Sequence, residues 1–296
     1  MKRVAVLALP ALVVAAPLAA QITLPMTMEH EWPVVPVVHG ETGDTLEFIV
    51  DTGAASSALS ASAARRLAPE RLGSTTVQGA SGPQTVDLVL LRSLHVGDAE
   101  IRDLRVIVVD DETLTPETED AAPYDGVLGI EILSRFDVLF SAPTGELHLL
   151  RPGRGPGDFE SRLADPIPFP AGRRPFVRHP VELNDVRVSA ILDTGARSMI
   201  LNGIAAAEAG VEPEAGSEDR RRRGVGSVEV TFRRATIDVL EVGVTRIESV
   251  PARVSDLPVF RALGLADRSA MLLGARTLVG CPVFISYVAS AVRYCR

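Results

Sequence analysis

The chain has 296 residues, 38 acidic against 30 basic side chains, 46% hydrophobic residues and 4% aromatic ones. That apolar content beside 23% charged residues excludes a disordered chain, and the acidic balance excludes a broad basic face for nucleic acid. Two cysteines and five scattered histidines form no zinc-finger or HExxH spacing, so no metal and no cofactor is expected.

Taken in chain order, the first segment has a basic start at Lys2 and Arg3, an apolar run from Val4 to Leu18, and small residues at Ala19 and Ala20. This is the layout of a secretory signal peptide over residues 1–20, with cleavage expected after Ala20. Pro10 and Pro17 interrupt the run, which falls short of the ~20 apolar residues a membrane span needs. The expectation is an exported protein, periplasmic or secreted, with no membrane attachment once the leader is removed. Trp32 and His30 come next and are read as part of an N-terminal strand packing on the body of the protein, with residues lining a cleft as the alternative.

Residues 47–60 then read EFIVDTGAASSALS, and residues 189–201 read SAILDTGARSMIL. In each, a β-type apolar run delivers Asp-Thr-Gly-Ala, followed by small polar and then apolar residues. A second pair of landmarks follows: Gly126-Val127-Leu128-Gly129 in the first half and Met271-Leu272-Leu273-Gly274 in the second. Two landmarks repeating at nearly one offset imply a duplication and two similar lobes. Between the copies, residues 151–175 hold six prolines and four glycines, a linker composition. The lobes are therefore placed at 34–150 and 176–296.

Within the lobes, residues 86–96, 101–110, 145–150 and 227–243 read as strands. Residues 60–68 and 203–210 read as short helices following the two Asp-Thr-Gly segments. The acidic stretch 110–120 and the four arginines 220–223 read as solvated loops. Glycine-rich turns fall between the landmarks of each lobe: Gly79-Ala80-Ser81-Gly82, and Gly224-Val225-Gly226. Export would place Cys281 and Cys295 in an oxidising compartment. A disulfide there would staple the last strand; two buried thiols that never meet are the alternative.

A lone Asp-Thr-Gly is usually a strand-ending turn. Two copies in register are another matter, because each apolar strand carries its carboxylate toward the interior, where an unpaired charge is costly. Two loops meeting at a twofold axis relieve that cost when the carboxyls share one proton. On these residues, FIVDTGA and AILDTGA with YDGVLGIEIL and AMLLGARTL, the chain resembles the aspartic proteases, the pepsin and retropepsin group, as a bacterial-type exported protein with both lobes in one chain.

The resemblance implies an all-β fold of two pseudo-symmetric acid-protease β-barrel lobes with short helices. It implies Asp51 and Asp193 as the catalytic pair. Thr52, Gly53 and Ala54 with Thr194, Gly195 and Ala196 would support the loops. Val127, Leu128 and Gly129 with Leu272, Leu273 and Gly274 would back them. The two glycine-rich turns would be flaps, although the pepsin-type flap tyrosine is missing. The activity implied is aspartic endopeptidase on a peptide or protein substrate, in a monomer. A non-catalytic peptide-binding protein of the same fold and an obligate dimer are the alternatives. Pepsins carry Ser or Thr where this chain has Ala54 and Ala196. Without that hydroxyl donor the pair should titrate higher, giving an optimum at roughly pH 4–6.5.

Overall fold

The computed structural model describes residues 21–118, 121–172, 175–221 and 224–296. The expected leader at 1–20, and Arg222 and Arg223 of the arginine run, lie outside the described residues.

Alternation of apolar and polar residues builds the first half as strands β1 (Gln21–Pro25), β2 (Val34–His39), β3 (Thr45–Val50), β4 (Ala58–Ser60), β5 (Glu70–Gly79), β6 (Gly82–Val96), β7 (Ala99–Val109), β8 (Gly126–Leu128), β9 (Asp137–Ser141) and β10 (Glu146–Leu150). The second half follows with β11 (Ile167–Pro168), β12 (Arg178–Leu183), β13 (Val186–Leu192), β14 (Met199–Leu201), β15 (Asp219–Arg221), β16 (Val230–Val242), β17 (Thr245–Val254), β18 (Ala270–Leu273), β19 (Val283–Ser286) and β20 (Ala291–Arg293).

Each lobe has one seven-stranded sheet, in the order β2-β3-β8-β4-β7-β6-β5 and β12-β13-β18-β14-β17-β16-β15. Additional β2–β6 and β12–β16 pairings fold each sheet back on itself, giving barrel-like closure. A third sheet, β1-β10-β9-β19-β20-β11, belongs to both halves. At its centre β9 and β19 pair antiparallel across the seam, with Phe140 opposite Val283 and Asp137 opposite Ser286. The all-β, two-lobed architecture expected from the duplication is therefore the one observed.

Period two along a strand sorts its residues between faces. In β3, Leu46, Phe48 and Val50 enter a core that runs continuously through both lobes, while Ile49 faces the opposite way into a smaller cluster with Trp32, Ile107 and Val127. In β13, Val188, Ala190 and Leu192 do the same, with Ile191 turned the other way. The helices after the Asp-Thr-Gly segments are short and capped by the residues that start them. Ser60 accepts from the Ala63 N–H before α1 (Ala61–Leu67), and Asn202 accepts from the Ala205 N–H before the corresponding helix (Gly203–Glu208).

Three segments differ from a plain loop. Residues 151–175 contribute β11 to the shared sheet, and Leu163 bridges to Cys295. That proline-rich stretch still joins the halves, but Leu163, Ile167 and Pro168 fasten it down by pairing. Asp219–Arg221, read as loop, pairs with β16. The acidic stretch starts with a single 3-10 turn whose Leu114 is buried. Cys281 and Cys295 form a disulfide that brackets the β19–β20 hairpin, with Cα atoms 5.5 Å apart. Among the described residues no helix is long and apolar enough to cross a membrane.

Candidate active site

The two Asp-Thr-Gly segments meet at the seam because of how their strands end. β3 runs parallel to β8, and β13 parallel to β18. Each pairing continues one step past the strand, with the Asp51 N–H donating to Leu128 O and the Asp193 N–H donating to Leu273 O, both at 3.0 Å. The chain then turns and is caught again: the Ile130 N–H donates to Ala54 O at 2.8 Å and the Ala275 N–H to Ala196 O at 2.7 Å. Gly129 and Gly274 sit where this threading is tightest. A Cβ on Gly129 would lie 2.7 Å from the Ser56 carbonyl carbon, and one on Gly274 would lie 2.5 Å from Ser198 O. These are the positions where the loop-backing residues were expected.

Thr52 and Thr194, both fully buried, lock the loops to each other. The Thr52 hydroxyl donates to Leu192 O at 2.7 Å and accepts from the Thr194 N–H at 3.2 Å. The Thr194 hydroxyl donates to Val50 O at 2.6 Å and accepts from the Thr52 N–H at 3.0 Å. Every polar group of the two threonine side chains is used across the interface, so neither loop can shift alone.

This clamp drives the carboxyls together. A Cβ on Gly53 would fall 2.3 Å from Asp193 Oδ1, and one on Gly195 would fall 2.2 Å from Asp51 Oδ2, so each carboxyl presses on the opposing glycine. Asp51 Oδ1 accepts from the Gly53 N–H at 2.7 Å and the Ala54 N–H at 3.1 Å. Asp193 Oδ1 accepts from Gly195 at 3.1 Å and Ala196 at 3.2 Å. The carboxyls also hydrogen-bond to each other. Burial pushes both above the usual carboxylate range, and the charge of Asp51 pushes Asp193 well above it. A pair so placed holds one proton between its two members rather than ionising fully.

That observation decides the comparison with known proteins. The profile of the aspartyl protease family matches the chain twice, over residues 35–132 and 179–277, once per lobe. This chain belongs to the aspartyl protease family. No individual curated protein matches it.

In this aspartyl protease family member the two glycine-rich turns also meet. The β5–β6 hairpin tip and the lobe-two tip dock, with the Ser81 N–H donating to Val225 O at 3.1 Å and the Val228 N–H donating to Ser81 O at 2.9 Å. The Gly226 N–H donates to Gln84 Oε1 at 2.9 Å, and the Ser227 hydroxyl to Pro83 O at 2.8 Å. Gly79 permits the approach, since a Cβ there would lie 2.0 Å from Val225 O. Val225 packs against the apolar cluster that Ala54 also touches, which sets the lobe-two tip against lobe one's side of the site.

Several residues around the site carried no usable signal in the sequence. The Trp32 indole N–H donates to Gly195 O at 2.8 Å. Arg197 lies over the Trp32 ring, 4.8 Å from its centroid, and pairs with Glu117 at 2.7 Å. Glu117 thus takes the acidic stretch out of its expected solvated role. Glu131 Oε1 accepts from the Ser57 N–H at 2.5 Å, while its Oε2 is buried without a hydrogen-bond partner. Burial pushes this carboxyl up. Each contact joins residues 74 to 165 positions apart, beyond the reach of any local pattern.

Proposed function

We propose that this aspartyl protease family member is an active aspartic endopeptidase, with Asp51 and Asp193 as its catalytic pair. The observation that carries this reading is the convergence of two half-buried carboxyls, each pressed on the opposing loop's glycine by the interlocked threonines. In the proposed reaction the ionised carboxyl takes a proton from a water lying between the pair, as general base. The protonated carboxyl donates to the carbonyl oxygen of the scissile peptide, neutralising the developing oxyanion. The roles then reverse as the amine leaves, so the pair ends with the single proton it began with.

Because Ala54 and Ala196 supply only backbone N–H donors to the carboxyls, neither anion gains the hydroxyl bond of a pepsin. This supports an optimum at roughly pH 4–6.5. Glycine-rich tips contributed by both lobes, without a flap tyrosine, favour a retropepsin-like subtype acting on extended peptide, with the tips opening to admit it. Both Asp-Thr-Gly loops lie in one chain, which favours a monomer. The opening residues 1–20 favour export.

The test is digestion of an unfolded protein between about pH 3 and 7 by the wild type, Asp51→Asn and Asp193→Asn. Cleavage by the wild type and a loss of about a thousandfold or more in both variants is expected, since each proton transfer needs its partner. Full activity in either variant rules out the shared pair. An inert wild type points to a peptide-binding protein.

A further inference from the structure

Trp32 is the only tryptophan in the chain, and it sits in lobe one, 163 residues before the glycine it bonds to. It is buried, just ahead of β2. The carbonyl it reaches, Gly195 O, belongs to the same peptide unit as the Ala196 N–H, and that N–H donates to Asp193 Oδ1. Two hydrogen bonds therefore run in series through one peptide group, from the indole to the carboxyl. A donor on the carbonyl polarises the peptide and strengthens the bond its N–H makes.

The ring is held in place from both lobes. The Tyr124 ring meets it edge-on at 5.8 Å, the Arg197 guanidinium covers it, and Glu117 tethers Arg197 while approaching Arg253 at 4.0 Å. One residue earlier, Glu31 pairs with Arg276 at 2.5 Å. That pair ties the segment to the turn behind the second loop.

We propose that Trp32 is a positioning residue for the second catalytic loop: its indole N–H, delivered across the seam, orients and polarises the Gly195–Ala196 peptide that holds Asp193. The inference rests on the endopeptidase reading for its kinetic consequence, while the contact itself is tested independently below. The titratable and charged groups facing this peptide and ring are Asp51 from the first loop with Tyr287 near it, Arg197 on the second, Glu117 with Arg253, the Tyr124 phenol with Glu29 and Glu47 beside it, and the Glu31–Arg276 pair. A stronger Ala196 N–H bond favours the ionised form of Asp193. Losing the indole donor therefore raises the pH at which the pair gives up its last proton.

Trp32→Phe keeps the ring under Arg197 and removes the N–H. In the full chain it should lower kcat about five- to tenfold, the worth of one hydrogen bond, with KM within about twofold. The alkaline limb of the pH profile should move upward. A merely structural role would reduce activity without moving that limb. The wild type provides a second readout, because all tryptophan emission comes from Trp32. Its emission should titrate between about pH 4 and 9 with the ionisation of the pair, and that titration should vanish in Asp193→Asn.

Wild-type kcat and an unmoved limb in Trp32→Phe overturn the proposal, as does emission that is flat with pH in the wild type. If Trp32→Phe does not fold, the wild-type titration decides. Emission that tracks Asp193 in a protein that cleaves nothing supports the coupling and overturns the endopeptidase reading, so the two failures are distinct.

Discussion

Asp51 and Asp193 occupy loops of the same sequence, yet they are not equivalent. The backbone donors reach Asp51 at 2.7 and 3.1 Å and Asp193 at 3.1 and 3.2 Å. The Gly195 N–H also leans toward Asp51. Shorter bonds to the anion favour Asp51 as the ionised member, leaving Asp193 as the resting holder of the proton. The loops are also braced differently: Glu131 and Ser57 back the first, whereas Trp32 reaches the second from the other lobe.

A consequence for stability follows from the direction of these shifts. Asp51, Asp193 and Glu131 are all raised, chiefly by burial. Their stabilising contribution is therefore fully present below the ordinary carboxylate range near pH 4 and is lost as pH rises through their folded-state values. His148 and His179, lowered by burial, act in the opposite sense, their contribution growing as pH rises toward the ordinary histidine value. The carboxyls are therefore read from a difference: the thermal midpoint of the wild type relative to that of Asp193→Asn should decline as pH rises above about 4. A difference that does not change with pH contradicts the assignment of raised carboxyls.

Among the elements, the paired hairpin tips are the part that would have to move under the proposed endopeptidase function, to admit a peptide. Among the described residues four hydrogen bonds join them, and Gln84 holds one while its Nε2 reaches Asp110 Oδ2 at 3.4 Å. Gln84 thus ties the lobe-two tip to the acidic stretch of lobe one. Replacing it with alanine leaves the bonds at Ser81 and Ser227 in place and should loosen the tips without unfolding them. Amide hydrogen exchange at residues 224–228 should quicken about five- to tenfold, for one lost bond, and KM should rise. Exchange unchanged from wild type would show that Gln84 does not latch the tips.

The strands flanking these tips were legible in the sequence to within a few residues, because alternation over 86–96 and 101–110 is a local signal. The docking of the tips was not. It joins Ser81 to Val225 and Gln84 to Gly226, and its bonds are largely backbone, which leaves little trace in residue type.

In the molecule as a whole, the duplication carried most of what could be read. Asp-Thr-Gly and the later apolar-Gly landmarks gave two lobes, and the cost of burying Asp51 and Asp193 apart gave their meeting. The hydrogen bonds of Thr52 and Thr194 across the seam followed from the resemblance; what escaped was the pairing across the seam outside those two loops. The shared sheet joins Val283 to Phe140 and recruits Ile167 and Pro168 from a stretch whose prolines read as linker. Trp32 offered only an aromatic residue ahead of a strand, and Arg197 only a charge after a motif. The core runs unbroken from Leu46 to Ile237, and the Cys281–Cys295 bridge fixes the last hairpin of the shared sheet. The lobes therefore form one unit and hold the carboxyls at a fixed separation.

That fixed separation is most directly tested by titrating the aspartate carboxyls by carbon NMR in the wild type and in Asp51→Asn and Asp193→Asn. Two ionisations split well apart in the wild type, with one carboxyl still protonated where ordinary aspartates are not, are what the shared proton predicts. Each single variant should lose that split. If both carboxyls instead ionise together near pH 4, as isolated aspartates do, they do not share a proton and the account fails.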